Sequence, residues 1–128
     1  MSACKRAILI ATLICSASPA TSGSDDGNSW LGACRSQSLL ERGICTMYIA
    51  GYVAGAEDAL VRDALRRGLD GVTVPFCRPQ GVTRDQMRLV VIRFMEKNPT
   101  LLHLNFAMII GGAMSDAFPC KDGPVLIR

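Results

Sequence analysis

The sequence has a single histidine, His103, and no residue pattern that would complete a catalytic site around it. A hydrolytic triad needs a positioned nucleophile and an orienting acid beside its histidine, and the spacing of the side chains identifies neither. We therefore interpret His103 as a structural residue near a helix start and predict no catalytic residue. A small hydrolase is the least favoured of three function classes considered for this chain.

The chain also lacks an excess of charge of one sign. It carries 14 Lys and Arg residues against 11 Asp and Glu, and two of the basic residues, Lys5 and Arg6, belong to an N-terminal segment that we expect to be removed. The remaining charges are dispersed and nearly balanced, so they provide no electrostatic surface for nucleic acid or for anionic lipid. We predict neither partner, and no cofactor or metal.

A long apolar run is missing as well, since a membrane-spanning helix needs about 20 apolar residues. Residues 7–15 are apolar, follow Lys5 and Arg6, and precede the small residues Ser18, Pro19 and Ala20. This pattern is typical of a secretory signal peptide, and an N-terminal anchor helix is the alternative. We expect residues 1–20 to be the signal peptide, 21–29 a flexible leader, 30–120 the folded domain and 121–128 a C-terminal tail.

No segment alternates strictly between apolar and polar residues, so we predict an all-α domain of about four helices. The first is expected at residues 30–42, ended by Gly43. A second, the longest, runs from Cys45 to a stop at Gly68, and residues 70–80 form a loop. The third follows a capping box at residues 83–86 and ends at Asn98 and Pro99. The last, residues 101–118, is apolar nearly all round and should be the most buried.

Gly51 and Gly55 form a Gly-x-x-x-Gly pair within the second helix. In membranes this pair marks a helix dimer, but the apolar run ends at Ala56, before Glu57 and Asp58. Because each glycine inside a soluble helix costs about 1 kcal/mol relative to alanine, we expect another helix to approach there. Its contact surface is expected at residues 111–112, and leucine at 51 or 55 should destabilise the fold.

Glu57 and Asp58 are adjacent carboxylates, which point about 100° apart on a helix and do not converge on one substrate atom. Paired catalytic carboxylates converge across a cleft from separate elements. We expect one of the two to be solvated and the other, Asp58, to hold a neighbouring loop or helix terminus.

Four cysteines remain after removal of Cys4 and Cys15 with the signal peptide: Cys34, Cys45, Cys77 and Cys120. Structural zinc sites favour close pairs of cysteines, whereas these are widely spaced, so two disulfides in an oxidising compartment are predicted. Cys34 with Cys45 is the least expected pairing, because a helical hairpin turning near Gly43 would place them at different levels. The other two pairings stay open.

An ordered set of motifs carries a resemblance to a known family. These motifs are Leu31-Gly32-Ala33-Cys34, the segment CTMYIAGYVAGAEDA at 45–59, Phe76-Cys77-Arg78-Pro79 with Gly81-Val82-Thr83 and Gln86, Asn98-Pro99 with His103, and Ala117-Phe118-Pro119-Cys120. Together they resemble the Rap/Tai family of type VI secretion immunity proteins, whose fold is similar to that of the acid-stress chaperone HdeA. The matching scaffold positions outside the cysteines are Tyr48, Gly51, Gly55, Asp58, Pro79, Gln86, Pro99, His103, Phe118 and Pro119.

The resemblance implies a periplasmic, helical, often dimeric protein that binds and blocks a secreted peptidoglycan amidase without catalysis of its own. It does not locate the inhibitory surface, which we expect on exposed, unmatched loops. Our candidates there are Asp70, Thr73, Lys97, Asn98 and Thr100, with the charged side chains Arg84, Asp85, Arg88 and Glu96. Residues 100–102 are more apolar than expected of that turn, which would suit a dimer contact or a plug for a hydrophobic cleft.

An HdeA-like periplasmic chaperone is the alternative function. Acid would protonate its carboxylates, loosen a dimer and expose apolar surface. The high apolar content and two predicted disulfides favour a rigid scaffold instead.

Overall fold

The computed structural model describes residues 25–121 and the backbone of residues 125–126. The predicted signal peptide, residues 21–24 of the predicted leader and most of the predicted tail lie outside the described residues. The first helix begins three residues before its expected start, so residues 25–29, which we assigned to the leader, are part of the described fold.

Four α-helices make up most of the described chain, which confirms the all-α prediction. They are α1 (Gly27–Arg35), α2 (Leu39–Arg66), α3 (Arg84–Lys97) and α4 (Phe106–Ala117), and a short 3₁₀ helix, Pro99–Leu101, precedes α4. Two strands of two residues each, β1 (Gly71–Val72) and β2 (Val125–Leu126), pair antiparallel. They are too short for alternation to appear in the sequence.

The boundary between α1 and α2 differs from the sequence prediction. A three-residue turn at 36–38 separates the helices, and the Ser38 hydroxyl oxygen accepts a hydrogen bond from the Glu41 backbone N–H, which caps α2. Gly43 therefore lies inside α2 rather than after a helix end. The prediction of one helix over residues 30–42 was wrong because capping by Ser38 overrode the stop signal that we assigned to Gly43.

The start of α3 and the burial of α4 agree with the sequence. Gln86 N–H donates to Thr83 Oγ1 at 3.2 Å, and Thr83 N–H donates to Gln86 Oε1 at 2.7 Å, which completes the predicted capping box. In α4, five of 12 residues are buried, against four of 28 in α2. The expected helix over residues 101–118 is shorter, because Asn105 caps a new helix with its side-chain oxygen on Ala107 N–H.

The core lies between the inner face of α2 and the helices α1, α3 and α4. Cys45, Ile49 and Val53 on α2 are at most 1% exposed and face apolar side chains of α3 and α4. This is the inner stripe that the helical period predicts. Among the described residues, α2 is also the one helix whose length and hydropathy would allow a membrane crossing; its inner face is packed inside this domain.

The cysteines form two disulfides, as predicted, but in the pairing that we considered the least expected. Cys34 bonds to Cys45 and Cys77 bonds to Cys120. With the turn at 36–38 instead of near Gly43, Cys34 lies level with Cys45. One turn nearer the start of α1, Trp30 packs on Tyr48 of α2. The argument against this pair was wrong because it placed the turn too late.

The predicted close approach at Gly51 and Gly55 is also wrong. A Cβ atom built on either glycine would meet nothing within 4 Å, so both positions face open space. Gly111 and Gly112 do allow close packing, but with the side chains of Tyr52 and Phe94 rather than with these glycines. The expected loss of stability on placing leucine at 51 or 55 has no basis in monomer packing.

Candidate partner-binding site

The segment between α2 and α3, residues 68–83, is here called the connecting loop. It starts with a Schellman motif: Leu69 N–H donates to Ala64 O at 3.0 Å and Gly68 N–H donates to Leu65 O at 3.2 Å. Gly68 has a φ of +66°, which glycine adopts at little cost. The predicted helix stop at Gly68 is confirmed, and the chain leaves α2 in a defined direction.

Three attachments hold the connecting loop against the helices. β1 pairs with β2, Cys77 is joined to Cys120, and Cys77 N–H donates to Phe118 O at 2.8 Å. Beside the disulfide, the Arg78 guanidinium donates two hydrogen bonds to the Glu57 carboxylate, at 3.2 and 3.3 Å. Such a two-bond pair fixes orientation as well as distance. The exposed residues Asp70 and Thr73 therefore project from an anchored backbone.

The two adjacent carboxylates of α2 have the reverse of their expected roles. Glu57, not Asp58, holds the neighbouring loop through Arg78, while Asp58 is solvent-exposed and pairs with Arg62 one helical turn away at 2.6 Å. The sequence contains the partner, Arg78, next to a disulfide cysteine. Because Arg78 is 21 residues from Glu57 in sequence, the pair was not predicted.

An apolar groove of about 310 Å³ lies beside the connecting loop. Its walls are formed by Val61 of α2, by Val72 and Val74 of the loop, and by the ion pair of Glu57 with Arg78. Phe76, only 3% exposed, closes the floor. An exposed polar rim next to an apolar groove is the usual composition of a protein-binding surface.

The second group of candidate residues lies at the end of α3. Lys97 and Thr100 are exposed, whereas the Asn98 side chain donates to Phe94 O at 2.8 Å and so caps α3. Asn98 thus has a structural role. This turn leads into Leu102, whose carbonyl accepts a bond from Asn28 N–H, which places it beside the start of α1.

The structure does not bring the two candidate groups together. The start of α1 packs on Tyr48, near the beginning of α2, through Trp30. Asp70 follows the far end of α2 at Arg66. Eighteen residues of helix separate Tyr48 from Arg66, which is roughly 27 Å. A partner contact at one group therefore leaves the other some distance away.

Of the charged candidates, Arg88 does not face solvent. It is 9% exposed, donates to the Cys34 carbonyl at 2.8 Å and pairs with Asp85 at 2.7 Å. The interpretation of Arg88 as an exposed binding residue was wrong, because its guanidinium closes the C-terminal end of α1. Arg84 and Glu96 are exposed, and Glu96 pairs with Arg35 at 3.5 Å.

The remaining scaffold positions divide between core and surface. Tyr48 and Phe118 pack against the core, Gln86 completes the capping box, and the other positions are exposed: Gly51, Gly55, Asp58, Pro79, Pro99, His103 and Pro119. His103 lies three residues before α4. Within residues 25–121, no three His, Cys, Asp or Glu side chains form a group that could hold a metal.

Asp25 joins the starts of α1 and α4, a role that sequence reasoning missed. Its carboxylate accepts hydrogen bonds from Trp30 Nε1 at 2.9 Å and Asn105 Nδ2 at 3.1 Å, and its carbonyl accepts one from Phe106 N–H. Nearby, burial raises the pKa of Tyr48, and the charge of Asp25 and then Tyr52 add to the increase. Tyr48 therefore stays protonated to a higher pH than an exposed tyrosine, and we assign it a role in packing and none in chemistry.

The chain matches a protein-family model. A family model described as Rap1a immunity proteins matches residues 26–120, which include all four helices and both disulfides. The searches of curated proteins and of solved structures returned no significant match.

Proposed function

Because this chain belongs to the Rap1a immunity protein family, we propose that it is a periplasmic antidote to a type VI secretion effector. The effector class that we propose is a peptidoglycan amidase, which the antidote inhibits by binding, with no catalysis of its own. Membership of an immunity protein family implies that the chain binds a cognate effector protein. The family match over the whole described helical domain is the observation that carries this proposal.

Two features of the chain support export. Lys5, Arg6 and the apolar run after them have the composition of a signal peptide. Both disulfides require an oxidising compartment to form and persist.

The connecting loop supplies the contact with the effector. Its backbone is held by the disulfide at Cys77 and by the ion pair of Arg78 with Glu57, so little conformational entropy is lost when Asp70 and Thr73 contact a partner. The apolar groove next to the loop can receive a side chain of the effector. Occlusion of the effector cleft is then sufficient for inhibition.

The direct test is a titration of amidase activity. The oxidised mature chain, from Thr21 onward, is added to a purified amidase effector encoded beside its gene, with release of peptidoglycan fragments as the readout. We expect activity to disappear at a one-to-one ratio. An amidase that stays fully active in excess protein contradicts the proposed effector class, and a stable complex with an effector of another activity would replace it.

Two variants locate the surface. Asp70→Arg with Thr73→Arg changes the connecting loop, and Lys97→Glu with Thr100→Arg is the control, at the end of α3 and in the 3₁₀ helix that follows it. All four side chains are exposed, so neither variant should alter the melting temperature. We expect the loop variant to weaken binding about 100-fold, which is about 2.7 kcal/mol, and the control to change it little. The reverse result would move the interface to the α3 end.

The same samples test the chaperone alternative. A chaperone of that class would lose its fold at about pH 3 and prevent aggregation of many unrelated proteins there. We expect this chain, which is crosslinked by one disulfide in its core and one at the connecting loop, to prevent none.

A further inference from the structure

A second groove lies between the outward side of α2 and the start of α3. Its volume is about 490 Å³, which makes it larger than the groove beside the connecting loop. We call it the α2–α3 groove, and the residues that define it are Ala50, Gly51, Ala54, Arg78, Val82 and Arg84. A groove of this size is large enough to receive side chains of a partner segment. The contact proposed above at Asp70 and Thr73 makes no use of it.

Small residues on α2 keep the α2–α3 groove open. Ala50, Gly51 and Ala54 are three and four residues apart, so they are neighbours on one side of the helix. A Cβ atom added at Gly51 would meet nothing within 4 Å. Glycine in a helix interior costs about 1 kcal/mol relative to alanine, and the packing of the monomer gives Gly51 no compensation. A partner side chain in this space would provide it.

Two methionines give the α2–α3 groove an adaptable apolar lining. Met47 of α2 is 57% exposed, and Met87 of α3 is 4% exposed. The unbranched, polarizable side chain of methionine fits irregular shapes, and it recurs at surfaces that bind protein segments. The groove can therefore receive an apolar side chain without a rigid match in shape.

The charge beside the α2–α3 groove is positive. Among the described residues, the charged side chains that line it are Arg78 and Arg84. Arg78 donates two hydrogen bonds to Glu57, which compensates its charge. Arg84 is exposed and has no ion pair or side-chain hydrogen bond within residues 25–121, and the neighbouring carboxylate of Asp85 is paired with Arg88 at 2.7 Å. A free guanidinium next to an apolar groove is complementary to a carboxylate next to an apolar side chain.

We propose that the α2–α3 groove binds a segment of the effector that carries an apolar side chain beside an aspartate or glutamate. The apolar side chain enters next to Gly51, and the carboxylate pairs with the guanidinium of Arg84. This inference rests on the proposed function and adds a second contact to the one at the connecting loop. Arg78 lines both grooves, so the two contacts form a continuous surface on either side of its ion pair with Glu57.

A pair of leucine variants tests whether the groove is occupied. Gly51→Leu places a side chain in the α2–α3 groove. Gly55→Leu is the matched control, because it makes the same change one turn further along α2 at a position that lines neither groove. A Cβ at either position meets nothing within 4 Å, and leucine favours helix more than glycine does, so neither variant should lower the melting temperature.

Binding is measured by isothermal titration calorimetry with the purified effector encoded beside the gene, whatever the activity of that effector. The oxidised mature chain and both leucine variants are compared at the same salt concentration. We expect Gly51→Leu to weaken binding by at least about 30-fold, the size of a loss at an interface hot spot. Gly55→Leu should bind as the wild type does.

A second pair of variants tests the charge. Arg84→Glu reverses it, and Arg93→Glu is the matched control, since Arg93 is also exposed on α3 but does not line the α2–α3 groove. Arg84 is the first residue of α3, where the helix dipole favours a negative side chain, so its reversal should not destabilise the fold. We expect Arg84→Glu to weaken binding about tenfold and to reduce its dependence on salt, and Arg84→Lys to retain both. Arg93→Glu should change neither.

The outcomes separate this inference from the proposed function. If the wild type binds the effector and either Gly51→Leu or Arg84→Glu binds equally well, the groove assignment is wrong and the proposed function stands. A wild type that binds no effector overturns both. If Gly51→Leu alters the oligomeric state of the free protein in sedimentation velocity, a second copy occupies the groove, and an equal loss in Gly55→Leu would show contact along α2 outside it; each result overturns the assignment.

Discussion

Tyr48 lies where α1, α2 and α4 meet. Its ring is 4.6 Å from that of Trp30 and 5.5 Å from that of Phe106, and Trp30 stacks on Phe106 with ring centroids 4.7 Å apart. Aromatic pairs at these distances add about 0.5–1.5 kcal/mol beyond the area that they bury. The cluster therefore holds three helices together, and the charge of Asp25 lies close enough to act on Tyr48.

The raised pKa of Tyr48 predicts a loss of stability at alkaline pH. An unfolded tyrosine ionises near pH 10.0, and burial, Asp25 and Tyr52 raise the pKa in the folded state. Below pH 10 the contribution of the protonated phenol is complete. As the pH rises through the folded pKa, the unfolded chain releases a proton more readily than the folded one, so stability falls.

Urea unfolding of the wild type and Tyr48→Phe between about pH 8 and pH 11 measures this effect. We expect the wild type to lose more free energy of unfolding above pH 10 than Tyr48→Phe, by about 1.4 kcal/mol for each unit of pKa difference. Parallel curves for the two proteins would show that ionisation of Tyr48 has no part in alkaline unfolding.

For individual side chains, the sequence predicts solvent exposure better than it predicts bonding partners. The solvent exposure of Asp70, Thr73 and Lys97 was predictable from their place in turns between periodic segments. The bonds of Glu57 to Arg78 and of Arg88 to the Cys34 carbonyl were not, because they join residues that are 21 and 54 positions apart in sequence. Which of two adjacent carboxylates meets a loop depends on how the helix is rotated, and that is set by packing.

At the scale of elements, α2 carries apolar side chains on two faces, of which only one packs into the domain core. The period of Cys45, Ile49 and Val53 predicted the inner face correctly. The Gly-x-x-x-Gly pair was noticed but assigned to a contact within the monomer, whereas it lies on the outer face. Sequence period alone places residues on a face, but it does not say which face meets the core when both are apolar.

Gly27 and Gly43 lie near the starts of α1 and α2, and replacing each by alanine is expected to have opposite effects on stability. A Cβ at Gly43 meets nothing within 4 Å, so Gly43→Ala should stabilise α2 by about 0.5–1 kcal/mol. At Gly27, an added Cβ would clash with Cδ1 of Ile109 and lie 3.1 Å from the Leu102 backbone. Gly27→Ala should destabilise the fold by about 1–3 kcal/mol.

Each variant is the control for the other in thermal and urea unfolding, since both make the same chemical change near the start of a helix. A stabilised Gly27→Ala protein would show that α1 does not pack on α4 as described. A destabilised Gly43→Ala protein would instead favour the helix boundary that the sequence suggested, with Gly43 outside α2.

At the scale of the whole molecule, motif order and helical period predict the class of fold and the family, but not the cysteine pairing. The pairing depends on where one turn lies, and moving that turn from Gly43 to residues 36–38 brings Cys34 level with Cys45. The two disulfides stabilise different parts of the fold. One lies within the core between α1 and α2, and the other attaches the connecting loop to the chain after α4.

The different positions of the two disulfides predict the order in which they are reduced. Cys34 and Cys45 are fully buried, whereas Cys77 and Cys120 are partly exposed, and a thiolate must reach a sulfur atom to attack it. With limiting dithiothreitol, mass spectrometry of alkylated protein should show modification at Cys77 and Cys120 first. Cys34 and Cys45 should react only in conditions that unfold the domain.

The energetic effect of each bridge follows from the length of chain that it closes. Cys77 and Cys120 are 43 residues apart, which corresponds to about 4 kcal/mol, and Cys34 and Cys45 are 11 apart, which corresponds to about 3 kcal/mol. The double variant Cys77→Ala with Cys120→Ala should therefore fold less stably while its remaining disulfide stays resistant to reduction. If reduction instead begins at Cys34 and Cys45, the core between α1 and α2 must open before the connecting loop does, and the loop is then the more rigid part of the protein.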